Sequence, residues 1–156
     1  MRLKALDKGW SVESDLVNNG AWCAVAGVGE FLCRYQSSNH VRQAAAERSK
    51  KHALNYSQRK LPSVAELDAD EVEVLAQAVV IGWRDAGLGQ GELDQVPYSV
   101  ENARALLSEP DYQPLRSYLD RWSSDRENYR RETVAAMGKT LPPLSEPNSE
   151  VAVVPA

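Results

Sequence analysis

Glycines alternate at Gly87, Gly89 and Gly91, between an apolar run ending at Trp83 and a helix start at Tyr98-Ser99. Alternating glycine lets backbone amides approach a phosphate, so the stretch raises the possibility of a nucleotide loop. No Gly-Lys-Ser/Thr closes it, and no G-x-G-x-x-G lies between a strand and a helix. Its carboxylates Asp85, Glu92 and Asp94 would repel phosphate. Metal ligation has no better basis. His40 and His52 are far apart in sequence, and neither Cys-x-x-Cys nor His-x-x-x-His occurs. The acidic cluster Glu66, Asp68, Asp70, Glu71 and Glu73 lacks the glycine and closing glutamate of a calcium loop; such residues suit the first turns of a helix. No local motif sets a serine or cysteine nucleophile beside a histidine base. No catalytic, cofactor-binding or metal-binding residue is therefore expected, and the chain reads as a non-enzyme.

Charge supplies the one positive hint. Between His40 and Lys60 stand Arg42, Arg48, Lys50, Lys51, Arg59 and Lys60 against Glu47 alone, six minus one, or +5. These six form a candidate partner-binding basic face. One reading is a solvated helix face balanced by the carboxylates of residues 66–73; the other is a dock for an acidic partner or RNA. Tyr56 is the only Phe, Trp or Tyr in this segment, which disfavours a stacking platform for single strands. The whole chain, at −4 with a pI near 5.3, also argues against bulk nucleic-acid binding.

Local patterns predict the elements that must position these residues. Residues 21 to 35 read as a β-hairpin with its loop at Gly27-Val28-Gly29. Pairing about Val28 would set Val25 opposite Phe31, Cys23 opposite Cys33 and Trp22 opposite Arg34. The cysteines then read as buried free thiols. A helix is expected from His40 to Gln58, capped by Ser38 or Asn39, with a thin apolar stripe of Val41, Ala45, Ala53 and Tyr56. A second should run from near Ser63 to Asp85. Its polar residues Glu66, Asp70, Glu73, Gln77 and Arg84 recur at helical spacing, although "AVVIGW" alone would pass for a buried strand. A third opens at the cap Ser99 with Val100, Ala103, Leu106 and Leu107 inward and Pro110 after it. A fourth carries Tyr112, Leu115, Leu119 and Trp122, with Tyr118 alongside. A capping box at Ser124–Glu127 starts a last helix through Tyr129 and Val134 to Met137, stopped by Gly138. Trp22, Trp83 and Trp122 fall on apolar faces and are expected in the core.

The fold class is thus α+β, mostly helical, with an N-terminal hairpin region and four to five helices. Residues 1–139 form the domain; residues 140–156, rich in proline, read as a flexible tail. The longest apolar run, Val72 to Trp83, contains Glu73 and Gln77 and is shorter than the roughly 20 residues a bilayer requires. The start "MRLKALDKGW" lacks the apolar stretch and cleavage site of a secretory signal, so a cytoplasmic setting with reduced thiols is expected.

Three quoted segments occur in order: "AQAVVIGWRDAG", "VPYSVENARALLSEP" and "DRENYRRE". Together with the early "GAWCAVAGVGEFLCRY" and the basic helix, they make Arg2 to Lys139 resemble the tail assembly chaperones of long-tailed bacteriophages. In that family an Ala-rich apolar helix ends in Gly-Trp, here Gly82-Trp83. A short polar loop then leads to a Tyr/Phe-Ser-x-Glu-Asn-Ala helix start, here Tyr98, Ser99, Glu101, Asn102 and Ala103. A later helix carries Asn and an aromatic, here Asn128-Tyr129. The loop here is longer and richer in glycine than the usual one, and the proline-rich tail has no counterpart. The resemblance implies a non-catalytic protein of the host cell cytoplasm, absent from the mature virion. It would bind the tape measure protein and help recruit tail tube subunits, with self-association open and no membrane partner. A structural tail component retained in the virion and a small nucleic-acid-binding regulator are the alternatives.

Overall fold

The computed structural model describes residues 11–85 and 91–130. Helix α1 (Ser14–Asn19) ends at Gly20 and leads into a hairpin of β1 (Ala21–Val25) and β2 (Gly29–Cys33). Helices α2 (Asn39–Lys51), α3 (Ala53–Ser57) and α4 (Val64–Val74) follow. A single π turn, Leu75–Val79, then passes into β3 (Val80–Arg84), which pairs antiparallel with β2. The sheet order is β1-β2-β3. Helices α5 (Glu92–Gln95), α6 (Val100–Ser108) and α7 (Gln113–Ser124) complete the described chain, with a 3-10 turn at Arg126–Tyr129. The architecture is α+β and mostly helical, as the sequence predicts. The two short helices α1 and α5 had no signal in the apolar pattern.

One core joins the sheet to the helices. Cys23, Phe31, Cys33 and Val80 from the strands meet Val72, Leu75, Ala76 and Val79, then Ala103 and Leu107 of α6 and Leu115 and Leu119 of α7. The 3.6-residue period selects the inward positions of α6 and, on α7, Leu115, Leu119 and Trp122; Tyr112, expected on the same stripe, instead ends a 3-10 turn before α7 and is 45% exposed.

The hairpin exists, but its register differs from that expected. Trp22 pairs with Leu32, Cys23 with Phe31 and Val25 with Gly29. The connection is Ala26-Gly27-Val28, because Gly27 takes the left-handed turn position (φ 77°) and Gly29 already belongs to the strand. The turn centre moves by one residue, so each partner moves by two and every side chain keeps its face. Cys23 and Cys33 thus remain on the buried face as diagonal neighbours and free thiols. Burial first, and then the Glu30 carboxylate, push the Cys23 thiol up to about 12. Burial and Cys23 hold Cys33 well above the usual thiol range. Neither is a poised nucleophile.

Three further expectations need correction. The helix from Ser63 does begin there, with Ser63 and Glu66 closing a complete capping box, but it does not reach Asp85. Val80 to Arg84 is a strand, because the free edge of β2 takes up the β-branched run. The polar stripe of α4 runs through Glu66, Asp70 and Glu73 and continues at Gln77 in the π turn; Arg84 lies on β3 and bonds Glu30 of β2 at 2.7 Å. The helix expected over 40–58 is capped by Ser38 and interrupted at His52, where α3 starts afresh. Of its anticipated stripe only Val41 is buried; Ala45, Ala53 and Tyr56 are exposed. The Ser124–Glu127 box is replaced by Asp125 capping the 3-10 turn, and Arg130 is extended. Val134, Met137, Gly138 and the tail lie outside the described residues.

Trp22 is also a correction. It is 37% exposed on the outer face of the sheet, with the Arg84 guanidinium stacked 3.8 Å from its ring centroid. Trp83 and Trp122 are half-buried against the core, as expected. Among the described residues no helix is long and apolar enough to cross a membrane.

Candidate functional site

The motif residues come together at two joints. At the first, Trp83 on β3 meets Tyr98 edge-on at 5.2 Å and Phe31 at 6.2 Å. The Trp83 indole N–H donates to the Val96 carbonyl (2.8 Å), and the Tyr98 hydroxyl donates to the Val80 carbonyl (2.7 Å). The two aromatics therefore clamp the ends of the connector between β3 and α6. Ser99 caps α6 by accepting the Asn102 amide (3.0 Å), and the Asn102 side chain donates to the Pro97 carbonyl (2.9 Å). Ala103 is fully buried and Glu101 is exposed. Gly82 is not demanded by space, since a Cβ there would meet only Leu32 at an ordinary 3.6 Å. Gly82-Trp83 is thus a strand feature and not the end of an apolar helix.

The connector's acids also serve its closure. The backbone N–H of buried Asp85 donates to the Asp94 carboxylate at 3.0 Å, and an Asp85 carboxylate oxygen accepts from the Gly91 amide at 2.5 Å. Gly87 and Gly89 lie outside the described residues. The second joint holds Asn128, donating to the Trp122 carbonyl (2.8 Å), and Tyr129, donating to the Cys33 carbonyl (3.0 Å).

The basic segment does not form one face. Arg48 turns inward and pairs with Glu73 at 3.3 Å, whereas Arg42, Lys50, Lys51, Arg59 and Lys60 are exposed, with no ion pair among the described residues. At about 100° per residue, Arg42 shares a face with Ala45 and Ser49, while Lys50 and Lys51 point well away from it. Arg59 and Lys60 follow the end of α3.

Helix α4 supplies the balancing acids, which pair with cationic and imidazole side chains of neighbouring helices. Asp68 pairs with Arg116 of α7, Asp70 with His52, and Glu73 with Arg48 and with both forks of Arg104 (2.7 Å each). Gln77 also donates to Glu73. Three helices, α2, α6 and α7, are thereby tied to α4. Counting only apolar residues hides this network. Positions 41, 44, 48 and 52 hold Val, Ala, Arg and His, an inward stripe once the two polar side chains are included. Arg116 was missed in the same way; it is buried, with its Nη1 also 3.4 Å from the Leu107 carbonyl.

The Arg104 bidentate contact foremost holds the Glu73 carboxyl below its ordinary value of 4.5; burial opposes it, and the charges of Arg104 and Arg48 and the Gln77 bond add to the lowering. A lowered folded-state pKa means that the stabilisation is complete above 4.5 and disappears as pH falls through the lower folded value. The Tm gap between the protein and Glu73→Gln is expected to be largest near neutral pH and to close on acidification. A gap constant down to pH 2.5 (about two units below the ordinary value) would contradict this.

Above the His52–Asp70 pair lies a cleft of about 290 Å³. Ala45, Arg48, Ser49, His52 and Tyr56 form one wall, Leu67, Asp70, Glu71 and Val74 the other; Leu75, Gln36 and Asp120 complete the lining. Of its lining Leu67 and Tyr56 are about half exposed, and Val64, at the start of α4, is 84% exposed. Val64 and Leu67 are one helical turn apart and extend the apolar wall outward. The volume falls at or below the low end, about 300 Å³, of pockets that enclose a drug-sized ligand. It suits side-chain anchors better than a cofactor.

No curated protein and no solved structure matches the chain. A family model, the YdaY prophage protein, matches residues 35–139, which include α2 to α7, the cleft and every motif and basic residue named above. That span exceeds half of the sequence: the chain belongs to the YdaY prophage protein family and is phage-derived.

Proposed function

We propose that the protein is a tail assembly chaperone, which holds helical segments of the tape measure protein in solution and helps recruit tail tube subunits. It acts by protein contacts, without a cofactor or catalysis, in the host cytoplasm, and leaves before the virion is complete. The observation that carries this reading is the exposed apolar side chains of Tyr56 and Leu67 in a cleft, with Val64 one helical turn beyond Leu67, on a protein of phage origin. Clustered exposed apolar side chains cost solubility unless they meet a partner, and a cleft between helices accepts the apolar face of an amphipathic helix. The ordered quotation of the tail-chaperone motif adds support from the sequence.

Co-expression tests it. The tape measure protein of the same phage should be insoluble alone, soluble beside this protein, and should co-purify with it. An insoluble tape measure protein in both cases sinks the reading. Stoichiometric presence of the protein in purified tails, read by mass spectrometry, would make it a structural component instead.

A further inference from the structure

We infer that the cleft between α2–α3 and α4 seats an amphipathic helix whose carboxylates line one flank, the flank lying along α3. This rests on the chaperone reading for the client's identity, but the surface and its chemistry stand on geometry.

The apolar part is a helical stripe. Val64 and Leu67 lead down α4 into Val74 and Leu75, opposite Tyr56. Both walls are helices with their backbone groups satisfied internally, so an added strand would find no ladder here, whereas ridges of side chains would find grooves.

Charge then selects the partner. Of the α4 carboxylates, Asp68 and Glu73 are already paired with arginines and Asp70 with His52. At the two ends of the α2–α3 wall, Arg42 and the Arg59-Lys60 pair are exposed and have no ion pair among the described residues. Arg59 is the sharper case. It stands two residues past α3 at φ 58°, the left-handed region that glycine adopts without strain, while the Lys60 amide closes on the Asn55 carbonyl at 2.7 Å. An arginine there suits the surface by its charge and not by its backbone. The opposite wall and the far end carry Glu71 and Asp120, which repel carboxylates. The asymmetry fixes orientation: the acidic flank of the incoming helix lies on the α3 side and its neutral or basic flank on the α4 side.

The test uses the full chain and two synthetic helical peptides that share one leucine face, the first flanked by glutamate and the second by lysine. Titration calorimetry should give at least about tenfold tighter binding for the glutamate peptide, falling with added salt. Leu67→Asp, at a half-exposed site that the fold tolerates, should lose about tenfold or more, with an unchanged melting curve. The double variant Arg59→Glu, Lys60→Glu should reverse the peptide preference while the apolar contact persists. Equal binding of both peptides, binding of neither, or indifference to Leu67→Asp overturns the assignment. So does a dimer in sedimentation that Leu67→Asp dissociates, since a second copy would then be the occupant. The two readings fail separately. Tape measure co-purification that survives Leu67→Asp sinks this site alone, and glutamate-peptide binding without rescue of the tape measure protein sinks the chaperone role alone.

Discussion

Gly29→Ala is expected to cost about 3 kcal/mol or more of stability, read as a lowered urea midpoint at an unchanged m-value. Gly29 has φ 151°, within the range that L side chains rarely adopt. A Cβ on it would lie 2.6 Å from the Arg84 carbonyl oxygen and 2.5 Å from a Leu93 methyl. Leu93 can rotate, but the carbonyl belongs to β3 and cannot withdraw without opening the β2–β3 ladder. Backbone strain and steric overlap therefore add at one site. Gly27 gives the internal control. It too has positive φ, at 77°, yet a Cβ there meets nothing within 4 Å. Gly27→Ala should cost only about 1 kcal/mol, the left-handed penalty alone. Equal losses for the two variants would mean that Gly29 serves the turn and not the approach of β3.

The same glycine shows where sequence patterns stop being legible. "GVG" between alternating apolar residues announces a hairpin, but the choice between centring on Gly27 or Val28 depends on a third strand that lies far along the chain. Both registers keep Cys23, Phe31 and Cys33 on one face, so periodicity alone cannot choose. Helices α6 and α7 were readable because their signals are local: Ser99 caps α6 by accepting the Asn102 amide, and Leu107 and Leu119 are buried at helical spacing. The run after Val74 was not, since helix and strand are both compatible with "AVVIGW" and the decision comes from pairing with Phe31 and Leu32. The candidate site was half legible. Its cations were visible as a charged segment, but only folding shows that Arg48 is consumed by Glu73, that Lys50 and Lys51 point elsewhere, and that Arg42, Arg59 and Lys60 remain. The exposed apolar side chains Leu61 and Val64 went unread because they flank Pro62 and Ser63, where a start signal draws attention away from exposure. The motif residues Trp83 and Tyr98 were found by resemblance, and their shared task, closing a connector, appears only in three dimensions.

Tyr129→Ala should be the most damaging single side-chain deletion at the second joint, at about 4 kcal/mol. Tyr129 is fully buried although it lies in a one-turn 3-10 segment with little stability of its own. Its ring packs at 4.9 Å on Tyr35 and edge-on at 5.6 Å to Trp122. Its hydroxyl reaches the Cys33 carbonyl, and its own backbone carbonyl accepts the Glu13 amide at 2.8 Å. One residue thus ties α7 to β2 and to the segment before α1. Burial, then the nearby cysteines and Tyr35, raise its phenol pKa far above the ordinary value, so the hydroxyl stays a donor at any pH the fold survives. Tyr129→Phe separates packing from hydrogen bonding: it keeps the ring and should lose about 1–2 kcal/mol, the cost of leaving a buried carbonyl short of a donor. Tyr112→Ala, at a 45% exposed ring, sets the baseline and should stay within about 0.5 kcal/mol. If Tyr129→Ala fell to that baseline, the 3-10 turn would be a passive end of the chain. If Tyr129→Phe cost as much as Tyr129→Ala, the bond to Cys33 and not the aromatic cluster would hold the joint.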